Sequence, residues 1–288
     1  TYIKMNIHFF KYYLKKIFKK EYSNWILGLV KGDINKSNLK KTVFFKAPKD
    51  EFWADPFLFI NKKKKYVFFE KFLRKNNKGV LSVGELHDDK LINIKDILMK
   101  DYHLSYPFVF KKGKSYFLIP ETHEKKRLEV YIAKKFPYDW KLYSTGFHGE
   151  IVADPTILSY KNELWLFINK TKKELNGLNK NLYIYRIDNL KLSKITPHKK
   201  NPVITNLSGG RNAGNVFIEK NKIYRPSQIN KKNVYGYGLC ISEIKKLNIN
   251  SYNESIVQTI KPDFFKNLKG VHHLSKKGKY SLMDFNFY

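Results

Sequence analysis

One hairpin unit recurs five times along the sequence, and this repeat constrains the fold more than any other feature. Each copy has an apolar strand, a short turn rich in lysine, and a second apolar strand. The copies begin near residues 54, 105, 153, 213 and 271, at spacings of 51, 48, 60 and 58 residues. Four-stranded units that recur about every 50 residues are typical of β-propeller blades. The sequence therefore predicts an all-β fold, a five-bladed β-propeller, because an unrelated β-sandwich does not require such a period.

The fifth copy has only two strands, and this predicts how the ring closes. Four copies continue with a third strand, at residues 80–86, 128–133, 182–187 and 238–244, and then a weaker fourth strand. Two further apolar segments, residues 25–30 and 42–46, lie near the N-terminus. If they pair with the C-terminal hairpin, the fifth blade is complete and two exposed sheet edges disappear. We therefore expect one propeller domain over residues 22–288, closed by N-terminal strands.

Residues 1–21 have a different pattern. Apolar residues recur at helical spacing among lysines between positions 4 and 20, which predicts a short basic amphipathic helix outside the ring. Such a helix either packs on its own domain, which we favour, or makes peripheral contact with anionic lipid. No apolar run is long enough to span a membrane, and no secretory signal is recognisable. These features predict a cytoplasmic protein, with the inner face of the membrane as the alternative location.

The formal net charge of +31 is large for 288 residues. A basic balance of this size suggests nucleic acid, an anionic membrane or a phosphorylated substrate as partner. A lysine-rich composition typical of an AT-rich genome accounts for the charge equally well. Because the sequence contains no recognised nucleic-acid-binding motif, we expect no nucleic-acid partner.

The starts of the inner strands converge on the axis of a propeller, so polar residues there are candidate site residues. These positions hold Asp55, the group His103, Ser105 and Tyr106, then Asp154, the pair Arg211 and Asn212, and the pair His272 and His273. An Asp-Pro pair also suits the entry of any strand, but two copies in the same Ala-Asp-Pro frame favour function. Trp53 and Tyr106 either stack on a sugar or plug the ring. Adjacent histidines on a strand point to opposite faces, and no zinc motif is present, so we expect no metal and no cofactor.

Several motifs resemble known families. The segments Trp53-Ala54-Asp55-Pro56 and Ala153-Asp154-Pro155-Thr156 are similar to the five-bladed propeller glycosidases, the arabinanase, levansucrase and invertase superfamily that includes family 43 glycoside hydrolases. Longer motifs resemble more closely the N-terminal domain of plant glucosamine inositolphosphorylceramide transferases and its bacterial relatives, over about residues 22–288. These motifs are His103-Leu104-Ser105-Tyr106-Pro107, Ile119-Pro120-Glu121-Thr122, Arg211-Asn212-Ala213-Gly214, Arg225-Pro226-Ser227-Gln228 and Val271-His272-His273.

The resemblance to family 43 implies roles for two aspartates. Asp55 matches the general base of those hydrolases, and Asp154 matches the residue that tunes their acid. The acid itself, a glutamate on blade four, has no counterpart, because Arg211-Asn212-Ala213-Gly214 stands there. Glu121 is the candidate for a third catalytic carboxyl, with Glu70 as another candidate acid, and both lie on second strands.

The missing carboxylate favours transfer over hydrolysis. Hydrolysis of an unactivated glycoside needs a proton for the leaving oxygen, whereas a sugar phosphate or nucleotide sugar needs its leaving charge neutralised. We therefore expect glycosyl transfer from such a donor to a glycan or lipid-linked acceptor, with Asp55 as base, Asp154 orienting the sugar, and Arg211 and Arg225 binding the departing phosphate. The expected substrate-binding set is Trp53, His103, Tyr106, Arg211, Asn212, Arg225, Gln228, His272 and His273. A family 43 type hydrolase and a non-catalytic glycan-binding module remain the alternatives.

Overall fold

The computed structural model describes residues 24–171, 178–231 and 234–288. The amphipathic helix predicted within residues 1–21 lies outside the described residues. Within the described ranges, no helix has the length and apolar character needed to cross a membrane.

The described chain is almost entirely β-structure, arranged as successive blades. It begins with β1 (Trp25–Lys31), the short helix α1 (Lys36–Leu39) and β2 (Val43–Phe45). Blade 1 follows with β3 (Glu51–Asn61), β4 (Lys64–Leu73), β5 (Lys78–His87) and β6 (Lys90–Leu98). Blade 2 contains β7 (Ser105–Lys112), β8 (Ser115–Glu121), a 3₁₀-helix (His123–Lys125), β9 (Leu128–Lys135) and β10 (Asp139–Gly146). Both blades are antiparallel sheets in chain order, with the first strand innermost.

Blades 3 and 4 repeat the pattern with small irregularities. Blade 3 contains β11 (Ile151–Tyr160), β12 (Glu163–Thr171), β13 (Asn181–Ile187) and β14 (Ile195–Pro197), with β15 (Ile204–Thr205) also paired to β13. Blade 4 contains β16 (Ser208–Asn212), β17 (Phe217–Glu219), β18 (Lys222–Lys231), β19 (Val234–Asn248) and β20 (Ser251–Ile260). Both β16 and β17 pair with β18, so they form one interrupted inner strand.

Blade 5 joins the two ends of the described chain. Its C-terminal strands are β21 (Leu268–Gly270), β22 (Leu274–Lys277) and β23 (Tyr280–Phe287). Strand β1 pairs antiparallel with β23 from Trp25 opposite Asn286 to Lys31 opposite Tyr280, and β2 pairs with β1. The predicted five-bladed ring and its closure by N-terminal strands are therefore confirmed.

The hydrophobic core lies between neighbouring blades and continues around the ring. Strands buried on both faces read as near-continuous apolar runs, and this is why the second strands are the most apolar segments. Fully buried examples are Leu27 and Leu282 between blades 5 and 1, Phe68 and Leu118 between blades 1 and 2, Trp165 between blades 3 and 4, and Leu239 and Leu274 between blades 4 and 5.

The inner strands of all five blades run in the same direction, so the propeller has two distinct faces. The face where the inner strands begin is here called the site face. The face where they turn into the second strands is called the hairpin face. Its inner turns are residues 61–65, 111–115, 160–163, 219–222 and 276–280. The turns at Lys161-Asn162 and Lys220-Asn221 have positive φ at both residues, as a two-residue hairpin with a type I′ turn requires.

Replacing Leu27 tests the closure of the ring. Leu27 is completely buried in β1 and packs against blade 1. We expect Leu27→Ala to lower the free energy of unfolding by about 2–5 kcal/mol, because it leaves a cavity in a well-packed core. Urea denaturation measures this change. The matched control is Ile256→Ala on the outer strand β20, where the side chain is 55% exposed; equal losses in both variants would argue against the closure.

Candidate functional site

The same backbone irregularity marks the start of the inner strand in three blades. Asp55, Tyr106 and Asp154 have positive φ values of 52°, 50° and 48°. At each, the pairing with the second strand is interrupted by a register shift. A left-handed backbone in a residue other than glycine costs roughly 1–3 kcal/mol, and a bulge re-aims side chains. Gly214, with φ of 129°, is the corresponding residue of blade 4.

The irregular starts of blades 1, 2 and 3 are each held by a side-chain oxygen from the neighbouring blade. The backbone amide of Asp55 donates to Asp284 (3.0 Å), and the amide of Tyr106 donates to Asp55 (3.2 Å). The amide of Asp154 donates to Glu121 (3.3 Å). In blade 4 a similar bond lies two residues before Gly214, where the amide of Asn212 donates to Asn169 (2.9 Å). These bonds place polar side chains of successive blades at the axis.

Two of these oxygens, those of Glu121 and Asn169, come from equivalent places on second strands, and Glu70 occupies the same place in blade 1. Glu70, Glu121 and Asn169 stand opposite Ala54, Ser105 and Ala153 in the strand registers. Asp284 has the related place on β23. The carboxyl groups, with their main basic neighbours, form what we call the axial cluster: Asp55, Glu70, Glu121, Asp154, Arg211, His272 and Asp284.

Arg211 links blades 2, 3 and 4 within the axial cluster. Its Nε donates to Asp154 Oδ2 at 2.6 Å, its Nη1 donates to Asn179 at 2.8 Å, and its Nη2 lies 3.5 Å from Glu121 Oε2. Burial raises the pKa of Asp154, and the neighbouring Glu121 carboxylate adds to this effect, against the lowering effect of Arg211. Burial also acts to raise the pKa of Glu121, but the hydrogen bond from His123 and the charge of Arg211 outweigh it and lower that pKa.

Asp284 organises the blade 5 side of the cluster. Its Oδ1 accepts the amides of His272 (3.2 Å) and His273 (2.9 Å), and its Oδ2 lies 2.7 Å from His272 Nδ1. Burial acts to lower the pKa of His272, but the charge of Asp284 outweighs it, and the pKa is raised. His272 Nε2 lies 3.7 Å from Asp55 Oδ1, so Asp284 and His272 form a chain that leads to Asp55.

Asp55, His272 and Asp284 are close enough together to be considered as metal ligands, because one ligand atom of each lies within 4.8 Å of the others. Both oxygens of Asp284 are, however, already engaged by three backbone amides and the His272 ring. A cation would have to displace these contacts. The donor set therefore fits a hydrogen-bonded carboxylate better than a metal ligand.

Glu70 and His103 form a second acid–base pair. The amide of Gly79 donates to His103 Nδ1 at 3.0 Å, which leaves Nε2 facing Glu70 Oε1 at 3.4 Å. Burial lowers the pKa of His103. Burial raises the pKa of Glu70 well above its ordinary value, and the charges of Asp55, Glu121 and Asp284 raise it further. Glu70 is therefore a carboxyl group that retains its proton to higher pH than a solvated glutamate.

Tyr106 closes the axis below the axial cluster. Its hydroxyl donates to the Gly214 carbonyl and accepts from the Gly214 amide, both at 2.9 Å, so it joins blade 2 to blade 4. Its ring lies 4.9 Å from the ring of Phe57 and 5.2 Å from that of His273. Tyr106 and His273 are almost fully buried. Of the two roles considered for Tyr106, the structure places it as the plug, together with Phe57 and His273.

Two other residues predicted to bind substrate, Trp53 and Arg225, are buried and bonded within the protein. Trp53 is 6% exposed, packs against Phe69, and donates its indole N–H to Glu51, so it cannot stack on a sugar in this arrangement. Arg225 is completely buried. It binds both oxygens of Glu254, the Gly209 carbonyl and Asn212. Because its donors are already used within blade 4, this placement does not fit the expectation that Arg225 binds a phosphate.

The remaining predicted residues surround the cluster. Asn212 donates to the Asp154 carbonyl at 2.9 Å, and Gln228 Nε2 lies 3.4 Å from the Tyr235 hydroxyl. The Tyr235 ring contacts both Arg211, at 5.1 Å from its guanidinium carbon, and the His272 ring at 5.3 Å. Tyr235 is 45% exposed, so it marks the side on which the cluster meets solvent.

Several residues that contact the axial cluster were not predicted from the sequence: Asp284, Asn169, His123, Tyr235 and Trp25. The Trp25 ring stacks on His272 at 3.9 Å between centroids. A signal for two of them was present in the repeat. Three second strands end an apolar run with one polar residue, at Phe69-Glu70, Ile168-Asn169 and Met283-Asp284. Aligning second strands as well as first strands would have found Asp284 and Asn169. The other three lie outside the repeat pattern.

Comparison with known proteins identifies relatives over most of the ring. A family model described as glucosamine inositolphosphorylceramide transferase 1, N-terminal, matches residues 41–278. Glucosamine inositolphosphorylceramide transferase 1 of Oryza sativa subsp. indica is 32% identical over 210 residues, which cover 70% of this chain and 27% of that protein. The Arabidopsis thaliana protein of the same name is 30% identical over 212 residues, with the same coverage. The match thus spans about a quarter of the length of these plant relatives.

Solved structures share the fold. A family 117 glycoside hydrolase of the marine bacterium Zobellia galactanivorans superposes with a TM-score of 0.57 at 13% identity, covering 92% of this chain and 90% of that chain. An alpha-L-arabinofuranosidase from Lactobacillus brevis gives 0.56 at 12% identity, covering 85% and 93%. At such identities the likeness concerns the fold alone, and it confirms the predicted resemblance to propeller glycosidases.

The His272–Asp284 pair predicts a pH dependence of stability. Because the pKa of His272 is raised on folding, its stabilising contribution is fully present below the unfolded pKa of about 6.5 and is lost as pH rises through the folded pKa. We therefore expect the difference in unfolding free energy between the protein and His272→Gln to decrease as pH rises above about 6.5. Urea denaturation across a pH series measures it, with the exposed His148→Gln as control. A difference that grows with pH would contradict this assignment.

Proposed function

The chain belongs to the family of glucosamine inositolphosphorylceramide transferase 1 N-terminal domains, and from this premise we propose that the axial cluster catalyses glycosyl transfer. The donor is an activated, phosphorylated sugar, and the acceptor is a hydroxyl group of a glycan or a lipid-linked glycan. Family and fold together support the broader statement that the protein has a carbohydrate-related function.

The environment of Asp55 is the observation that carries the proposal. Its Oδ2 accepts the Tyr106 amide, which fixes the carboxylate. Its Oδ1 lies 3.4 Å from His273 Nδ1 and 3.7 Å from His272 Nε2, beyond a short hydrogen bond to either ring. This oxygen can therefore accept the proton of an acceptor hydroxyl as that hydroxyl attacks the anomeric carbon.

Asp154 and Arg211 would hold the donor. Arg211 has five N–H donors, and Asp154 and Asn179 engage only two of them in hydrogen bonds. Nη2 also lies 3.5 Å from Glu121 Oε2, and the N–H donors that these three partners leave can meet a leaving phosphate beside the Tyr235 ring. Asp154, whose Oδ2 is bound by Arg211, would orient the sugar through its hydroxyl groups. Since Arg225 is occupied by Glu254, the phosphate-binding role falls to Arg211 alone of the two arginines.

A glycoside hydrolase is the second candidate, and Glu70 is the observation that favours it. A buried carboxyl with a raised pKa is what a general acid requires. Glu70 would take the place of the acid that blade 4 lacks, although it lies on the second strand of blade 1.

Two substitutions distinguish these functions. In a transferase, Asp55→Asn should lower turnover of a nucleotide sugar by roughly 10²–10⁴-fold while donor binding persists. Glu70→Gln should change that turnover little, because a phosphate leaving group needs no proton. In a hydrolase, Glu70→Gln should abolish cleavage of alkyl glycosides yet spare aryl glycosides with good leaving groups.

The measurement is a panel of nucleotide sugars, sugar phosphates and glycosides, each tested for binding by calorimetry and for turnover. Asp263→Asn and Glu163→Gln, at surface ion pairs, are the matched controls. Full transfer activity in Asp55→Asn would overturn the transferase mechanism. If the protein binds sugars but turns over no substrate, both the transferase and the hydrolase function are excluded, and a glycan-binding module is the function that fits.

A further inference from the structure

The hairpin face contains a pocket on the propeller axis. Its volume is about 380 Å³, and its walls are the later halves of the inner strands of all five blades. Ile60, Val109, Ile157, Val216 and Ser275 are one lining residue from each blade. The pocket therefore lies at the opposite end of the axis from Asp55 and Asp154, which stand in the earlier halves of the same strands.

The plug of Phe57, Tyr106 and His273 separates this pocket from the axial cluster. Phe57 contacts both other rings, at 4.9 and 4.6 Å between centroids. Directly below the plug, the Ser275 hydroxyl donates to Asn215 Oδ1 at 3.0 Å and accepts the Leu58 amide at 3.1 Å. The pocket consequently has a polar floor of its own and is not the far end of the candidate active site.

Positive charge surrounds the pocket. The five inner turns of the hairpin face carry thirteen lysines, of which Lys111, Lys276 and Lys277 line the pocket itself. The same turns contain only two carboxylates, and both are paired, Glu163 with Arg186 and Glu219 with Lys276. Lys63, Lys112 and Lys277, from three different blades, are exposed. Lys64 and Lys222 are also paired, with Glu85 and Glu243 of adjacent strands. The turns still carry a large excess of positive charge, and we call them the lysine ring.

We propose that the hairpin face docks on a membrane surface rich in anionic lipid, with one anionic headgroup in the axial pocket. Five turns spread around a disc match a planar array of charges, whereas a linear polyanion could contact only the turns along one line. Anionic lipid surfaces attract basic residues with a free energy that accumulates over each lysine within reach. Ile218, 56% exposed beside the inner turn of blade 4, supplies an apolar contact to the interface.

This docking surface is independent of the catalytic proposal. In the docked protein the site face is directed away from the bilayer, toward the aqueous phase. The axial cluster would then act on substrates that reach it from solution, or on the end of a glycan long enough to extend past the propeller to the site face.

The test is binding of the full chain to vesicles of phosphatidylcholine with or without phosphatidylglycerol, measured by sedimentation. We expect binding only with phosphatidylglycerol, weakening with added salt. The triple variant Lys63→Glu, Lys112→Glu, Lys277→Glu should weaken partitioning by roughly a hundredfold. The control triple Lys49→Glu, Lys75→Glu, Lys266→Glu makes the same change in net charge among exposed lysines near the site face, and should change partitioning by less than about threefold.

A second pair of variants tests the pocket. Ile60→Glu puts a carboxylate in the pocket wall and should weaken binding, whereas the neutral Ile60→Gln should retain it. Urea denaturation checks that each variant is folded. Equal losses in the two lysine triples, or vesicle binding that the hairpin-face triple leaves unchanged, would overturn the proposal. If the hairpin-face triple variant loses binding to a DNA oligonucleotide but keeps binding to vesicles, the membrane proposal is overturned in favour of a nucleic-acid partner.

Discussion

The ring depends on one kind of contact, a backbone amide at the start of an inner strand bound by a side-chain oxygen of the adjacent blade. Asp284, Asp55 and Glu121 each hold such an amide in the blade that follows. A buried carboxylate is costly unless hydrogen bonds satisfy it, and a left-handed backbone is costly unless its surroundings hold it. The amide satisfies the buried carboxylate, and the carboxylate holds the left-handed backbone in place. The groups that hold neighbouring blades together are therefore also those that form the candidate site.

The same arrangement separates the acid–base properties of neighbouring carboxyl groups. Asp284 receives amides and a histidine, and its pKa is lowered although burial acts to raise it. Glu70 is buried beside His103 with other carboxylates around it, and burial together with those charges raises its pKa. Carboxyl groups whose environments push their pKa values apart are what acid–base catalysis uses. The neighbours of each carboxyl group therefore shift the pKa values of two similar acidic groups in opposite directions.

The repeat made the fold predictable, because a period near fifty and an incomplete last unit leave few ways to close a ring. It also located Asp55, Asp154 and Arg211, which occupy strand starts. It could not show that Arg225 is used by Glu254, or that Trp53 points into the core, because both depend on which way a side chain leaves the strand. Tyr235 and Trp25 contact His272 from segments that do not follow the repeat, so only the assembled ring reveals them.

The pairing of β1 with β23 has a consequence for biosynthesis. These partners lie about 250 residues apart in the sequence, and contacts of such long range form slowly because a large loop must close first. Until β23 has left the ribosome, one edge of β1 is unpaired, and the apolar face of blade 1 that packs against blade 5 is incompletely covered. Both surfaces can associate with other chains. Since Asp284 lies on β23, the candidate site is complete only after β1 and β23 have paired.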